Sequence, residues 1–463
     1  MIRRTGHAGV RRGFAVAISS FVAISSLTVS LLVAPGGAGG AATAVPSGNA
    51  SGGALVALAN KQKLIGAKGT GLTRGITSNS ISVGCVYTAS DYAGYVSGIQ
   101  AAFAVANKKG IDGRKINLVP CKDDTGGVQA DVSEVQQLVQ QNSVFAVLTL
   151  TENILNGSTN FLNANQVPYY GWGFNPGFCG YRWGFGWNGC LSPVLLPTSD
   201  PLHNVDQGNL AQAIIQASGL KPSAVRFAVQ SENSPSGTSG QADYTSLFKA
   251  LGGKVVYAEA NFPLTATGVD YTPYVQAILA AKPNIVYIST PFADVGGMAS
   301  ALKAAGYKGI TMDFVTYEPG LLASSPQLAS SLEGEYVNTQ VVPQEEASSG
   351  FVKQELSALK SIGQPQFLTL GASIGYAEAT EFIEQLKAVG KNLNTKTFDQ
   401  LVNGGKFENF TAAEGVASGG LGKLLWPAAH FIPSDCSVIV KVSGTNYTVA
   451  NPFKCYSSYL LKS

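Results

Sequence analysis

Charge is scarce in this chain: Asp, Glu, Lys and Arg make up 13% of 463 residues, and no basic stripe runs through them. Without one there is no electrostatic footprint for nucleic acid, and polyanions are excluded as partners. No phosphate-binding loop, no His-Glu-x-x-His metal helix and no dinucleotide fingerprint in a strand-to-helix setting occurs, so no cofactor is expected. Cysteine is absent before Cys85, which leaves no lipobox for a lipid anchor. The six cysteines from there on do not form the close Cys/His pairs of a zinc site.

What is present begins with a leader. Arg3, Arg4, Arg11 and Arg12 precede an apolar run from Phe14 to Val33, and Ala42-Thr43-Ala44 supplies small residues for cleavage. Residues 1–44 are therefore expected to be a signal peptide removed after Ala44, placing the protein in the periplasm or at the cell surface. Arg11-Arg12-Gly13-Phe14 also resembles a twin-arginine signal, so two export routes stay open. An uncleaved run would be an anchor; its many Ser residues and Gly-rich flanks favour removal. The formal charge of +3 comes from the leader, because removing its four Arg leaves 27 basic against 28 acidic residues. An even number of cysteines in an exported chain favours disulfides, with Cys85 and Cys121, Cys179 and Cys190, and Cys436 and Cys455 as natural partners among other pairings. Residues 45–75, rich in Gly, Ala and Ser, read as a linker.

The rest is too long for one ordinary core and is organised around Ile81–Asp124. An apolar run (Ile81–Tyr87), a helically spaced stretch (Gly94–Lys108) and a second apolar run (Ile116–Cys121) predict strand, helix, strand, hence a parallel sheet covered on both faces. Thr88–Asp91 and Asp123-Asp124 are placed to cap the helices that follow them. The same alternation continues to the end and predicts an α/β protein of two doubly wound parallel-sheet lobes. Lobe 1 is expected to span 76–198 plus 343–428, and lobe 2 to span 199–342 plus 429–463, with Ser192–Pro201 as the first crossing. Glu335–Val342 reads as a strand returning to the first lobe, and Cys436–Val442 with Tyr447–Tyr456 as a β-hairpin near a multi-strand hinge.

A resemblance lies in the organising stretch. Asn107-Lys108-Lys109-Gly110-Ile111-Asp112-Gly113-Arg114-Lys115-Ile116, followed by Asp123-Asp124, resembles the leucine/isoleucine/valine-binding family of extracytoplasmic solute receptors for ABC transporters, and the register runs from Ile76 to Tyr456. The resemblance implies a type I periplasmic binding fold and a small-molecule ligand held between the lobes. It also implies a membrane permease as partner and no chemical step; the chain is expected to act as a monomer. A secreted sensor or scavenger without a permease is the alternative.

In doubly wound sheets, ligands sit beyond the carboxyl ends of the strands. In the first lobe these ends offer Ser90 and Asp91, then Thr151, Glu152 and Asn153, then Trp172. In the second lobe they offer Ser231, Glu232 and Ser236, then Pro291 and Phe292, then Tyr317 and Glu318. The resemblance puts Thr151–Asn153 where an amino acid's carboxylate would bind, a place where Glu152 would repel it. It also makes Ser236 and Pro291 or Phe292 substitutes for ligand-facing aromatics, and Glu318 a displaced partner for an ammonium group. Gly171–Cys190 carries three Trp, three Phe and a Tyr, either as a pocket wall or as a disulfide-closed plug, with Arg182 available to a carboxylate or a ring. These departures lean toward a flatter aromatic or amide ligand over a standard branched-chain amino acid. One rival is enzymatic: Gly371-Ala372-Ser373-Ile374-Gly375 has the nucleophile-elbow pattern, followed by Asp399 and His430, although too few βα units lie between Ser373 and His430. His203 reads as a hinge or surface residue.

Overall fold

The computed structural model describes residues 48–49, 52–191, 202, 205–206, 208–264, 268–346, 348–364, 368–410, 421–434, 436–456 and 459–460. The leader, its cleavage point, the crossing at 192–201 and His203 lie outside them. The stretch expected as a linker is packed for much of its length: helix α1 (Gly52–Ala59) buries Leu55 and Ala59, and Leu64 follows. They form a small core with Cys179, Cys190, Leu202, Ala428 and Phe431. A few apolar side chains suffice to dock a Gly/Ala-rich segment when a disulfide-closed surface stands opposite.

Apolar runs buried on both faces make the centre of the first sheet. Its five main strands are β1 (Ser80–Tyr87), β2 (Lys115–Leu118), β3 (Ala146–Leu150), β4 (Tyr169–Gly171) and β5 (Gly184–Gly186), all parallel, in the order β2-β1-β3-β4-β5, and the two-residue strand Lys122–Asp123 also pairs with β1. Every residue of β3 is buried, as a central parallel strand requires. Helices α2 (Tyr95–Lys109), α3 (Val128–Gln140) and α4 (Asn156–Ala164) make the crossovers. Neither α2 nor α3 has the expected side-chain cap, since Gly94 and Gly127 stand at their N-caps.

After α5 (Gly208–Ser218) the second sheet repeats the winding. Strands β6 (Arg226–Glu232), β7 (Lys254–Phe262), β8 (Ile285–Ser289), β9 (Ile310–Asp313) and β10 (Tyr336–Thr339) are parallel in the order β7-β6-β8-β9-β10. The strand expected to return to the first lobe, β10, is thus the fifth of the second sheet. Helices α6 (Pro235–Ala250), α7 (Thr272–Ala280) and α8 (Phe292–Ala304) connect the strands. The hairpin β11 (Cys436–Ser443) and β12 (Asn446–Cys455) extends the sheet antiparallel from β10.

Helices α9 (Gly350–Ser361), α10 (Leu370–Val389) and α11 (Thr395–Val402) follow β10. Helix α10 lies against α2 so closely that a Cβ on Gly98 would meet the Ala372 carbonyl, and one on Gly375 the Tyr95 carbonyl. Here the elbow-like pattern has its structural meaning: its glycines permit helix–helix approach, and Ser373 is buried inside α10. His430 has both ring nitrogens occupied, each 2.8 Å from a polar partner, the Gly184 carbonyl and Asn403 Oδ1. Asp399 is bound to Arg182 at 2.9 Å. Asn403 links these two, its Nδ2 donating to Asp399 Oδ1 at 2.9 Å, while the buried Ser373 hydroxyl has no hydrogen-bond partner among the described residues.

Three disulfides join Cys85 to Cys121, Cys179 to Cys190 and Cys436 to Cys455. The last closes the β11–β12 hairpin across directly paired positions.

Candidate functional site

Both sheets have the 2-1-3-4-5 order, whose switch point falls between β1 and β3 in one lobe and between β6 and β8 in the other. Chain leaving the strand ends there diverges and opens a crevice. The two crevices share one cavity of about 380 Å³. Its first-lobe wall comes from the turns after β1, β3 and β4, with Ser90, Asp91, Tyr92, Glu152, Asn153 and Trp172. The facing wall comes from the ends of β6 and β8, the start of α6, the turn after β9, and β10.

Of the residues expected at the site, Ser90, Asp91, Glu152, Asn153, Trp172, Glu232, Ser236 and Phe292 line this cavity. Four do not. Thr151 is buried and gives its hydroxyl to Asp124 Oδ2. Ser231 is still inside the sheet, paired with Ala260 on one side and Ser289 on the other. Tyr317 and Glu318 are carried away by the turn after β9, where Asp313 Oδ1 accepts from the backbone of Val315 and Thr316, each at 2.8 Å. Phe314 and Val315 consequently reach the cavity, while the Tyr317 hydroxyl donates to Glu345 Oε2 at 2.7 Å and the Glu318 backbone N–H donates to the Tyr447 hydroxyl at 3.1 Å. Burial raises Glu318 to about 8, so it is a neutral packing group at neutral pH.

Asp124 organises the first-lobe wall. Its fully buried carboxylate accepts from Thr88 Oγ1 at 2.8 Å, from Asn153 Nδ2 at 3.1 Å, from Gly126 N at 3.0 Å and from Thr151 Oγ1. The donors expected for a ligand's carboxylate are therefore already engaged by one inside the protein.

Carboxylic side chains crowd the cavity without a basic counterpart among the described residues. Glu152 accepts from the Tyr92 hydroxyl at 2.7 Å, and Glu232 accepts from Ser234 Oγ at 2.6 Å. Burial first, then the neighbouring Glu232 charge, pushes Glu152 well above the carboxylate range, while burial pushes Glu232 up to about 7. Asp91 is raised too, chiefly by burial. Asp243 and Asp294 complete the acidic lining, and no Lys, Arg or His lines the cavity among the described residues.

The apolar part is aromatic. Trp172 meets Phe174 and Phe314 edge-on, with ring centroids 4.9 and 5.4 Å apart, and its Nε1 donates to Gln340 Oε1 at 2.7 Å. The aromatic segment thus divides: Trp172 and Phe174 face the cavity, whereas Trp183, Phe185 and Trp187 are plugged into the core. Arg182 serves Asp399 and takes no part in the site. Three buried polar groups on the cavity have no hydrogen-bond partner among the described residues: Ser236 Oγ, Thr290 Oγ1 and both amide atoms of Asn338.

Sequence reading misses Asp243 and Tyr244, which follow Ser236 and Gly240 at helical spacing along one face of α6 and were there to be found. It also misses Asn338 and Gln340, whose place depends on β10 belonging to the second sheet. No group of three or more His, Cys, Asp or Glu side chains is placed to hold a metal ion among the described residues.

The sequence matches the family described as periplasmic binding protein over residues 86–445. No curated protein matches it. Among solved structures, a branched-chain amino acid ABC transporter protein from Thermus thermophilus with bound valine superposes with a TM-score of 0.64 at 15% identity, covering 82% of this chain and 98% of that one. A solute-binding protein from Rhodopseudomonas palustris HaA2 in complex with p-hydroxybenzoic acid gives 0.61 at 18% identity, covering 83% and 98%. A substrate-binding protein from Aeropyrum pernix gives 0.64 at 16% identity, covering 82% and 97%. At such identities the likeness concerns the fold. The family match spans most of the chain, from β1 to the final hairpin, and the chain belongs to the periplasmic binding protein family.

Proposed function

We propose that this protein is an extracytoplasmic receptor that captures one small solute between its lobes and delivers it to an ABC-transporter permease. The observation that carries the reading is the cavity itself: about 380 Å³, with walls from the strand ends of both sheets. A site split between two lobes is completed when they approach, so the solute favours the closed form that a permease would recognise. The volume suits a molecule about the size of one substituted ring or one amino acid. Unpartnered groups on the wall, Asn338 above all, gain partners when a solute enters. No bond is made or broken in this reading. The mature form would begin after Ala44 and act as a monomer.

The test combines small-angle scattering with a thermal-shift screen of the mature chain. A solute that raises Tm and also contracts the radius of gyration supports capture by closure. Stabilisation with unchanged dimensions would speak against it. Loss of uptake on deletion of the protein supports delivery to a permease, and unchanged uptake supports the sensor or scavenger alternative.

A further inference from the structure

We propose that the captured solute is an organic ammonium ion on a flat or apolar body, lacking a carboxylate. This rests on the receptor reading above and specifies its ligand class. The cavity brings Asp91, Glu152, Glu232, Asp243 and Asp294 together with no basic side chain among the described residues. The stretches inside the chain that the structure does not describe contain neither Lys nor Arg, so they supply no counter-charge of that kind. A solute carboxylate would meet acidic side chains with its expected donors taken by Asp124, and it would find no basic partner among the described residues.

A cation meets the opposite situation. Glu152 and Glu232 repel each other when both are ionised, and a positive charge between the lobes converts that repulsion into charge-assisted hydrogen bonds. Six aromatic rings, Tyr92, Trp172, Phe174, Tyr244, Phe292 and Phe314, share the cavity with the carboxylates. They can cover an apolar body and offer ring faces to a cation. The unpartnered, buried Asn338 amide and Thr290 hydroxyl point independently to a ligand that carries polar hydrogens or acceptors. The absence of a metal-binding cluster among the described residues favours an organic cation over an inorganic one.

The experiment is calorimetric titration of the mature, disulfide-intact protein with four probes that share one ring: benzylammonium, benzyltrimethylammonium, benzamide and benzoate. The ammonium probes should bind, benzamide at least tenfold more weakly, and benzoate not at all. Glu232→Gln and Glu152→Gln should each weaken ammonium binding at least tenfold while both variants melt no lower than the parent. The affinity for benzyltrimethylammonium, whose charge is fixed, should rise between pH 5.5 and 8 by up to tenfold per pH unit as Glu232 gives up its proton; Asp91, Glu152, Asp243, Asp294, Tyr92 and Tyr244 are the other titratable groups on the wall.

Binding of benzamide or benzoate, abolished by Trp172→Ala, with no ammonium binding would overturn the cation assignment and leave the receptor standing. A flat pH profile for the quaternary probe would also overturn it. Silence from every probe here and in the wider solute screen, with no contraction in scattering, would count against both readings.

Discussion

Glu232 holds its proton longer in the folded chain than out of it. Its folded value of about 7 lies above the ordinary 4.5, because burial penalises the charge more than the Ser234 hydroxyl relieves it. In the pH range between those values the folded state binds more protons than the unfolded one, so stability falls as pH rises. Glu232→Gln removes the penalty only where the carboxylate would be ionised. The variant should be more stable than the parent by about 1–3 kcal/mol at pH 8 and equal to it at pH 4, since each tenfold change in proton affinity is worth about 1.4 kcal/mol. Urea unfolding of the ligand-free protein at both pH values checks this, and an equal gain at both would show that the charge is not the cause. A side chain that weakens the empty protein while facing its cavity is what a binding group looks like in stability measurements.

At the scale of elements, Asp124 ties together the ends of β1 and β3 through Thr88, Thr151 and Asn153. Asp124→Asn turns one acceptor into a donor facing the Asn153 amide donor and should cost about 1.5–3 kcal/mol, read as a lower urea midpoint with an unchanged slope. A slope change would mean that the wall is loosened more widely. Replacing Cys85 and Cys121 together with Ala opens a loop of 36-residue separation and should cost about 2–4 kcal/mol in the same assay. The strands and crossovers were legible because their causes are local: β3 is apolar throughout, and α2 and α3 carry helical spacing. Sheet membership was not. Nothing inside Tyr336–Thr339 says which sheet it joins, and Asn338 and Gln340 depend on that choice. Thr151 shows the same limit at the site, since its hydroxyl is committed by Asp124, a residue 27 positions earlier. Tyr317 and Glu318 were misplaced by one tight turn at Asp313. The packing of α1 escaped because only Leu55, Ala59 and Leu64 carry it.

For the whole molecule the raised carboxylates act in one direction. Asp131 and Glu232 stand at about 7 and Glu355 and Glu318 at about 8, each chiefly through burial. Each is protonated in the folded chain at pH values where its unfolded counterpart is ionised, so the sign is the same for all. Stability should decline from pH 5 to pH 8, and the ligand-free Tm should be highest on the acidic side. Calorimetry across that range tests it, and a Tm that climbs with pH would contradict the burial argument. A bound ammonium ion would restore part of the loss at pH 8 by pairing with Glu152 and Glu232.

The chain has four Trp residues, and three of them, Trp183, Trp187 and Trp426, are sealed in the core, while Trp172 lines the cavity and holds Gln340 across it. Its emission is the one that should respond when a solute replaces water beside it or when the lobes draw together. The protein therefore carries its own optical gauge, and occupancy can be followed by intrinsic fluorescence without labelling either partner.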